Sequence, residues 1–440
     1  MKIMKKICSL LLVIAMLGAL LSGCGQDAKT EEPTEGTAQA TANQYENTTN
    51  TLFLYPINYY GIEGKAFTSR WNGMRDALVN AGWEITGDGQ KDSTQFKVTR
   101  TDKCTMPEDS AVVFVNNQTW DTTLALTNNL TKHTPLAVIS TCNGVEFCSE
   151  KIIAYSEGTQ NVTYASFSKV YEEAFQDGSL NYMASKYTAS IAPIVAALYS
   201  AVTTGERMEN DQGEALHMEQ QFWTIQSLEE YQAWSGYDVI TGAHPTIMKA
   251  NMDEALAQAD PAARYAALSD FAANHTTNQE QVKALFESNQ SLTDTKADTE
   301  EFTVGLLIPN SVNESVQAYI DFISGYLAEV YNYKTYEVKV DGSSTNQETA
   351  ADKAINAGCK AIISLQDDTD RVAACQLASK KGVWFAIAGS CVYGTEEWNQ
   401  LNSCDHYVGS VGTSLDAEYQ AGYDMVQHYI DIINERGVVK

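Results

Sequence analysis

The side chains in this sequence best suited to chemistry are hydrogen-bonding groups rather than nucleophiles or metal ligands. The later part carries Asn310, Asn313, Asp367, Asp368 and Ser390, and the earlier part Tyr59, Tyr60, Arg70, Asn116, Asn117, Trp120 and Glu157. Planar amides, carboxylates and a guanidinium suit a small polar solute, and aromatic faces suit the apolar faces of a sugar ring. Arg70 is the leading single candidate because a guanidinium forks onto two oxygens at once; the competing reading is a surface ion pair. For Trp120 the competing reading is a half-buried core residue, and Trp223 and Trp384 are read as core or rim.

Enzyme chemistry is poorly supplied. Adjacent Asp367 and Asp368 would point to different sides of a strand end, whereas glycosidase carboxylates must flank one bond. The sequence has no His-Glu-x-x-His, no Gly-x-Ser-x-Gly and no Walker-type phosphate loop, and its six His are scattered. We therefore read a binding role, not an enzyme, with no cofactor and no metal; a glycan-acting enzyme is the lower alternative.

The elements that must position these residues are clearest from 302 to 412. Phe302-Thr303-Val304-Gly305-Leu306-Leu307-Ile308 is an apolar run closed by Pro309 and Asn310, which predicts a buried strand ending in a turn. Val316, Tyr319, Ile320, Ile323 and Leu327 then recur at helical spacing. Strands over 336–340, 361–365, 383–388 and 407–411 alternate with helices over 348–357 and 370–380, and Gly358 and Gly382 stand where helices should stop. This alternation predicts a parallel sheet with helices on both faces. The carboxyl ends of its strands carry Asn310-Ser311, Asp341, Gln366-Asp367-Asp368, Gly389-Ser390 and Thr413-Ser414. Ligands bind at that edge of open α/β sheets, although turn chemistry by itself also selects such residues.

The earlier segment reads the same way. A strand over 52–56, a helix over 67–80 ending at Gly82, apolar runs at 111–115, 136–139 and 152–155, and a packed helix over 191–199 closing at Gly205 predict a second α/β lobe. The expected fold is α/β, with two doubly wound parallel-sheet lobes and a cleft between them. Residues 51–240 form the first lobe and 301–440 the second. Between them, 241–300 is a helical connection and linker: 255–273 is Ala-rich, Asp260-Pro261 suits a helix start, and 289–301 is polar. Such a connection would let the lobes close on a ligand.

At the start of the chain, Lys2, Lys5 and Lys6 precede an apolar run over 7–21 and then Leu21-Ser22-Gly23-Cys24. A basic start, a short apolar core and small residues predict a signal peptide over 1–23. Residues 24–50 are rich in Thr, Glu, Gln, Ala and Asn, and predict a flexible tether. The 440 residues are 44% hydrophobic, enough for two cores, and their formal charge is −27. Loss of the signal, with its three Lys and no acid, deepens that charge. So acidic a chain is a poor partner for a nucleic acid backbone. Apart from Cys8 and Cys24, the cysteines are Cys104, Cys142, Cys148, Cys359, Cys375, Cys391 and Cys404. Cys142 with Cys148, or Cys391 with Cys404, are near enough in sequence to be disulfide candidates. The odd total leaves at least one thiol unpaired, and no Cys-x-x-Cys of the zinc type occurs among them.

Two resemblances follow. Leu21-Ser22-Gly23-Cys24 resembles the bacterial lipobox, which implies a lipid on Cys24 and an extracytoplasmic protein anchored to the cell membrane. The later lobe resembles the amino-terminal lobe of type I periplasmic binding proteins, the ribose- and galactose-binding class that shares its fold with LacI-type repressors. The match rests on Val304 to Asn310, on Ala354-Ile355-Asn356-Ala357-Gly358-Cys359-Lys360-Ala361-Ile362-Ile363, and on Val408-Gly409-Ser410-Val411-Gly412 followed by Ala421-Gly422-Tyr423. The earlier lobe is similar to that family's carboxy-terminal lobe, through Arg70-Trp71-Asn72-Gly73-Met74-Arg75-Asp76-Ala77-Leu78 and the helix before Gly205. The lobe order is reversed relative to the family, leaving open a circular permutation, a rearranged tandem or an incomplete chain. In a permuted chain 429–440 would lie near Leu52. The resemblance implies a solute-binding lipoprotein that hands a small polar solute, with a sugar favoured, to an ABC transporter permease. The alternative is a ligand-sensing lipoprotein that presents its closed state to a membrane signalling receptor.

Overall fold

The computed structural model describes residues 51–55, 65–81, 83–86, 96–100, 112–115, 137–140, 160–164, 169–177, 180–237, 245–310, 312, 314–341, 345–366, 370–390 and 392–436. By its contacts the chain divides into Met1–Ala42, which lies outside the described residues, and Asn43–Lys440, which holds everything below.

The elements run β1 (Thr51–Tyr55), α1 (Lys65–Asn80), β2 (Trp83–Thr86), β3 (Phe96–Arg100), β4 (Val112–Val115), β5 (Ala137–Ser140), β6 (Gln160–Tyr164), α2 (Lys169–Asp177) and β7 (Leu180–Lys186). After a tight turn over Thr188–Ile191 come α3 (Ala192–Thr204), β8 (Leu216–Gln220), β9 (Phe222–Ile225) and α4 (Leu228–Ser235). Three helices follow: α5 (Lys249–Leu256), α6 (Pro261–His275) and α7 (Gln279–Asn289). The last stretch is β10 (Phe302–Pro309), α8 (Glu314–Phe322), a π turn over Ile323–Leu327, α9 (Ala328–Tyr331), β11 (Tyr333–Val340), α10 (Gln347–Asn356), β12 (Ala361–Ser364), α11 (Arg371–Lys380), β13 (Trp384–Ser390), α12 (Thr395–Asn402), β14 (Tyr407–Thr413) and α13 (Leu415–Arg436).

The strands form two sheets, so the fold is α/β as expected. In the earlier sheet, of order β2-β3-β1-β4-β5-β6-β7-β9, the run from β1 through β4 to β7 is parallel. Its edges are antiparallel, with β2 and β3 beyond β1 on one side and β9 beyond β7 on the other. The apolar run at 152–155 lies outside the described residues; the strand that pairs beside β5 is β6. The later sheet, of order β11-β10-β12-β13-β14-β8, is parallel throughout.

Burial explains the later sheet. Val304, Leu306, Leu307 and Ile308 are all buried because helices cover both faces of β10. Each such side chain contributes roughly 1.5–3 kcal/mol. Gly305 is required by close approach, since a Cβ there would stand 2.7 Å from Ala354 Cβ on α10. Strand β11 begins three residues before the periodicity suggests. Asn332 turns the chain at φ 55°, so helix passes straight into strand without Gly or Pro, and the buried Tyr333 donates from its hydroxyl to Ile323 O at 2.9 Å.

The helices read as a connection pack into the core. Met252, Leu268, Val282 and Leu285 are buried in it. Asp260 caps α6 by accepting from Ala263 N at 2.8 Å, with Pro261 in the first helical position, as the sequence predicted. The polar stretch after Asn289 is pinned rather than loose. Asp294 accepts from Lys249 N at 2.9 Å and Ala250 N at 2.8 Å, and Ala297 N donates to Val330 O at 2.8 Å.

The chain crosses between the sheets four times, the third time through the helices between β9 and β10. After β7 it enters α3, which packs on β13 and β14. Strand β8 lies inside the stretch assigned by sequence to the earlier lobe, yet it pairs with β14 in the later sheet; one residue on, β9 is back beside β7. After β14 the chain enters α13, which packs on α1 and reaches β5, β6 and β7.

Candidate functional site

A parallel sheet puts every carboxyl end on one edge. Across the later sheet those ends are Asp341, Asn310, Gln366, Ser390, Thr413 and, on the strand unread in the sequence, Gln220. The chain leaves β10 for β11 on one side and then for β12 on the other, so the edge also contains a topological switch point, where ligands of open sheets bind. Asn310 and Asp341 are exposed, whereas Gln366, Ser390, Thr413 and Gln220 are buried.

Ser390 is the middle of one cluster. Its Oγ accepts from Arg371 Nη1 at 2.9 Å and donates to Gln366 O at 3.1 Å. Arg371 also donates from Nε to Glu397 Oε1, and its guanidinium lies 5.5 Å from the centre of the Tyr393 ring. Burial works against the Arg371 charge, but the Glu397 hydrogen bond and charge outweigh it and raise its pKa. Gln366 Nε2 is buried with no hydrogen-bond partner among the described residues. A buried amide nitrogen left unmatched costs about 1–3 kcal/mol, which an acceptor brought by a ligand would recover.

A second cluster surrounds Glu418, which is fully buried in the first turn of α13. Arg70 donates to its Oε2 from Nε at 2.9 Å and from Nη2 at 2.5 Å, Lys186 Nζ stands 3.4 Å from Oε1, and Thr413 Oγ1 donates to Oε1. Burial by itself would raise the Glu418 pKa; the charges of Arg70 and Lys186 and the Thr413 hydrogen bond prevail and lower it. Arg70 is thus half of an ion pair, and that pair is buried rather than at the surface, with Arg70 4% exposed.

These contacts show which way the edges face. Lys186 ends β7 in the earlier sheet, and its Nζ donates to Gly389 O, near the end of β13, at 3.3 Å. Helix α1 follows the carboxyl end of β1; its Lys65 Nζ donates to Tyr393 O, just past β13, at 2.9 Å, and its Ala66 packs with Tyr393 and Leu415. The carboxyl edges of the two sheets meet here. The crossings are also tied together: Gln220 Nε2 donates to Tyr187 O at 3.2 Å, Ser190 Oγ at 2.7 Å and Tyr319 OH at 3.4 Å, while Gln220 Oε1 is buried without a partner among the described residues.

Of the residues singled out from the sequence, the structure places Arg70, Asn310 and Ser390. Tyr59, Tyr60, Asn116, Asn117, Trp120, Glu157, Asn313, Asp367 and Asp368 lie outside the described residues, as do Cys24, Cys142, Cys148 and Cys391. Trp223 and Trp384 are buried. Lys186, Gln220, Arg371, Tyr393 and Glu418 were not singled out. For Gln220 and Lys186 the available signal was a polar residue at the end of a strand, weakened because β7 and β8 are mixed in composition. Among the described residues no group of three or more His, Cys, Asp or Glu could hold a metal ion.

No family model and no curated protein matches the sequence. Among solved structures, a protein described as a LacI transcriptional regulator from Bacteroides fragilis aligns over 86% of this chain and 89% of its own, at 9% identity and a TM-score of 0.39. That likeness is too loose for any activity to be taken from it.

Proposed function

We propose that this protein is a lipid-anchored, extracytoplasmic solute-binding protein that holds a small polar solute, with a sugar favoured, between its two sheets and delivers it to an ABC-type importer. The carrying observation is the meeting of two carboxyl edges beside three of the four chain crossings, with Gln366 Nε2 and Gln220 Oε1 buried there without a partner among the described residues. One of these atoms needs an acceptor and the other a donor, and a hydroxylated neutral solute offers both. The cations nearby already face carboxylates, Arg371 against Glu397 and Arg70 against Glu418, which disfavours an anionic ligand. No bond is made or broken; closing of the lobes is driven by the difference in affinity between the open and closed states.

A thermal-shift screen over sugars, nucleosides and amino acids tests the reading. A true ligand raises the melting temperature with concentration, by about 2.7 kcal/mol of stability at a hundred times its Kd. The reading is lost if no small solute in the screen does so. The anchor is tested separately by metabolic acyl labelling, which must vanish in Cys24→Ala.

A further inference from the structure

Two lysines of the earlier lobe reach across the meeting edge to the same short stretch of the later one. Lys186 closes β7, and its Nζ donates to Gly389 O at 3.3 Å. Lys65 opens α1, and its Nζ donates to Tyr393 O at 2.9 Å. The two carbonyls flank Ser390 in sequence, so the end of β13 and the start of the loop after it are held on both sides from the opposite sheet. Both ammonium groups are aimed by their own lobe. Glu418 Oε1, on the helix α13 that packs against α1, stands 3.4 Å from Lys186 Nζ, and the centre of the Phe222 ring lies 5.7 Å from it. Next to Lys65, Ala66 packs with Tyr393 and Leu415. The stretch so held is tied in turn to the candidate site. Tyr393 N donates to Glu397 Oε2 at 3.2 Å, and Glu397 Oε1 accepts from Nε of Arg371, whose Nη1 donates to Ser390 Oγ at 2.9 Å. Tyr393 thus turns its N–H to the Arg371 cluster and its carbonyl to the other lobe.

We propose that Lys65 and Lys186 form a clamp that holds the two lobes shut, on the reading above that the lobes close around a solute. The clamp fastens the later lobe at the segment that carries Ser390, so shutting the lobes also orders the Arg371 cluster. Water replaces each lysine at its carbonyl once the lobes part. Each bond therefore keeps only the net worth of a protein hydrogen bond, a shift of about two- to tenfold in the ratio of shut to open lobes. That is enough to bias the resting protein without locking it. A solute that binds the shut state binds more weakly by the factor by which that state's population falls.

The test uses the folded full chain with no solute added. Lys65→Met keeps the reach of the side chain and removes its donor, whereas Lys65→Arg keeps a donor. Small-angle X-ray scattering should give a larger radius of gyration for Lys65→Met than for wild type, and hydrogen exchange at the Tyr393 amide should quicken about two- to tenfold. Lys65→Arg should bring both readings back towards wild type. Lys186→Met should move both in the same direction, and the double variant further than either single one. Urea denaturation of each variant separates opening of the lobes from loss of the fold. An unchanged radius and unchanged exchange in the double variant, or faster exchange matched by an equal fall in global stability, overturns the clamp. No solute is present, so neither outcome bears on sugar binding, which the thermal-shift screen decides by itself.

Discussion

The buried carboxylate of Glu418 allows a quantitative test of how the two lobes are held at their meeting edge. Glu418→Leu leaves Arg70, 4% exposed, without the acceptor that it contacts at 2.9 and 2.5 Å. Breaking a buried pair from one side costs about 3–5 kcal/mol, because the surviving charge has no water to return to. Arg70→Met should fall at the lower end of that range, since Lys186 still stands 3.4 Å from the carboxylate. The double variant removes both charges together. Lys186 then keeps the Gly389 carbonyl at 3.3 Å and some solvent, so the double variant should cost at least about 2 kcal/mol less than the two singles combined. Urea denaturation at neutral pH measures all four proteins. A pH series adds a sign. The folded Glu418 carboxyl lies below its ordinary value, so its contribution is complete above the unfolded pKa of about 4.3 and drains away as pH falls through the lower folded pKa. The gap between wild type and Glu418→Leu should therefore be constant from about pH 6 to 8 and narrow in acid. Additive costs, within about 0.5 kcal/mol, would refute a coupled buried cluster.

Other perturbations test other parts of the structure. Gly422→Ala places a Cβ 2.1 Å from Arg70 O where α13 crosses α1, and should lower stability by at least about 2 kcal/mol in urea titrations, whereas Gly325→Ala, with nothing within 4 Å, should be neutral or gain up to about 1 kcal/mol. An equal loss from both would mean that the helices do not approach so closely. Gln366→Leu removes a buried amide nitrogen that has no partner among the described residues. Ligand-free melting should stay level or rise while the ligand-induced shift shrinks; a lower ligand-free melting point with binding intact would show that the amide serves the fold instead.

Much of the later lobe was legible along the chain. Apolar runs closed by Asn310, Gln366 and Ser390 set the strand ends, and helix spacing in Val316, Tyr319 and Ile320 set the face that packs. Such patterns are short-range, and burial on both faces leaves little choice of register. The candidate site was legible only as tips. Ser390 and Asn310 could be named because polar residues punctuate strands. The carboxylate that takes Arg70 could not be named, because it lies 348 residues away in sequence. The strands β2, β3 and β9 at the antiparallel margins of the earlier sheet also escaped notice, being only four or five residues long.

By itself the amino-acid sequence determined that this chain alternates strand and helix, and that one edge of a parallel sheet would be lined with hydrogen-bonding side chains. The periodicity of apolar residues is a local property, and it forces that outcome wherever a core exists to receive it. Only the folded chain decided that Leu216–Gln220 completes the later sheet, that Gln220 ties the crossing after β8 to the one after β7, and that Glu418 neutralises Arg70. Strand adjacency depends on which backbone edges remain open after the rest has packed. Ion-pair choice depends on which buried charges would otherwise be stranded. Neither is written in any short window of residues.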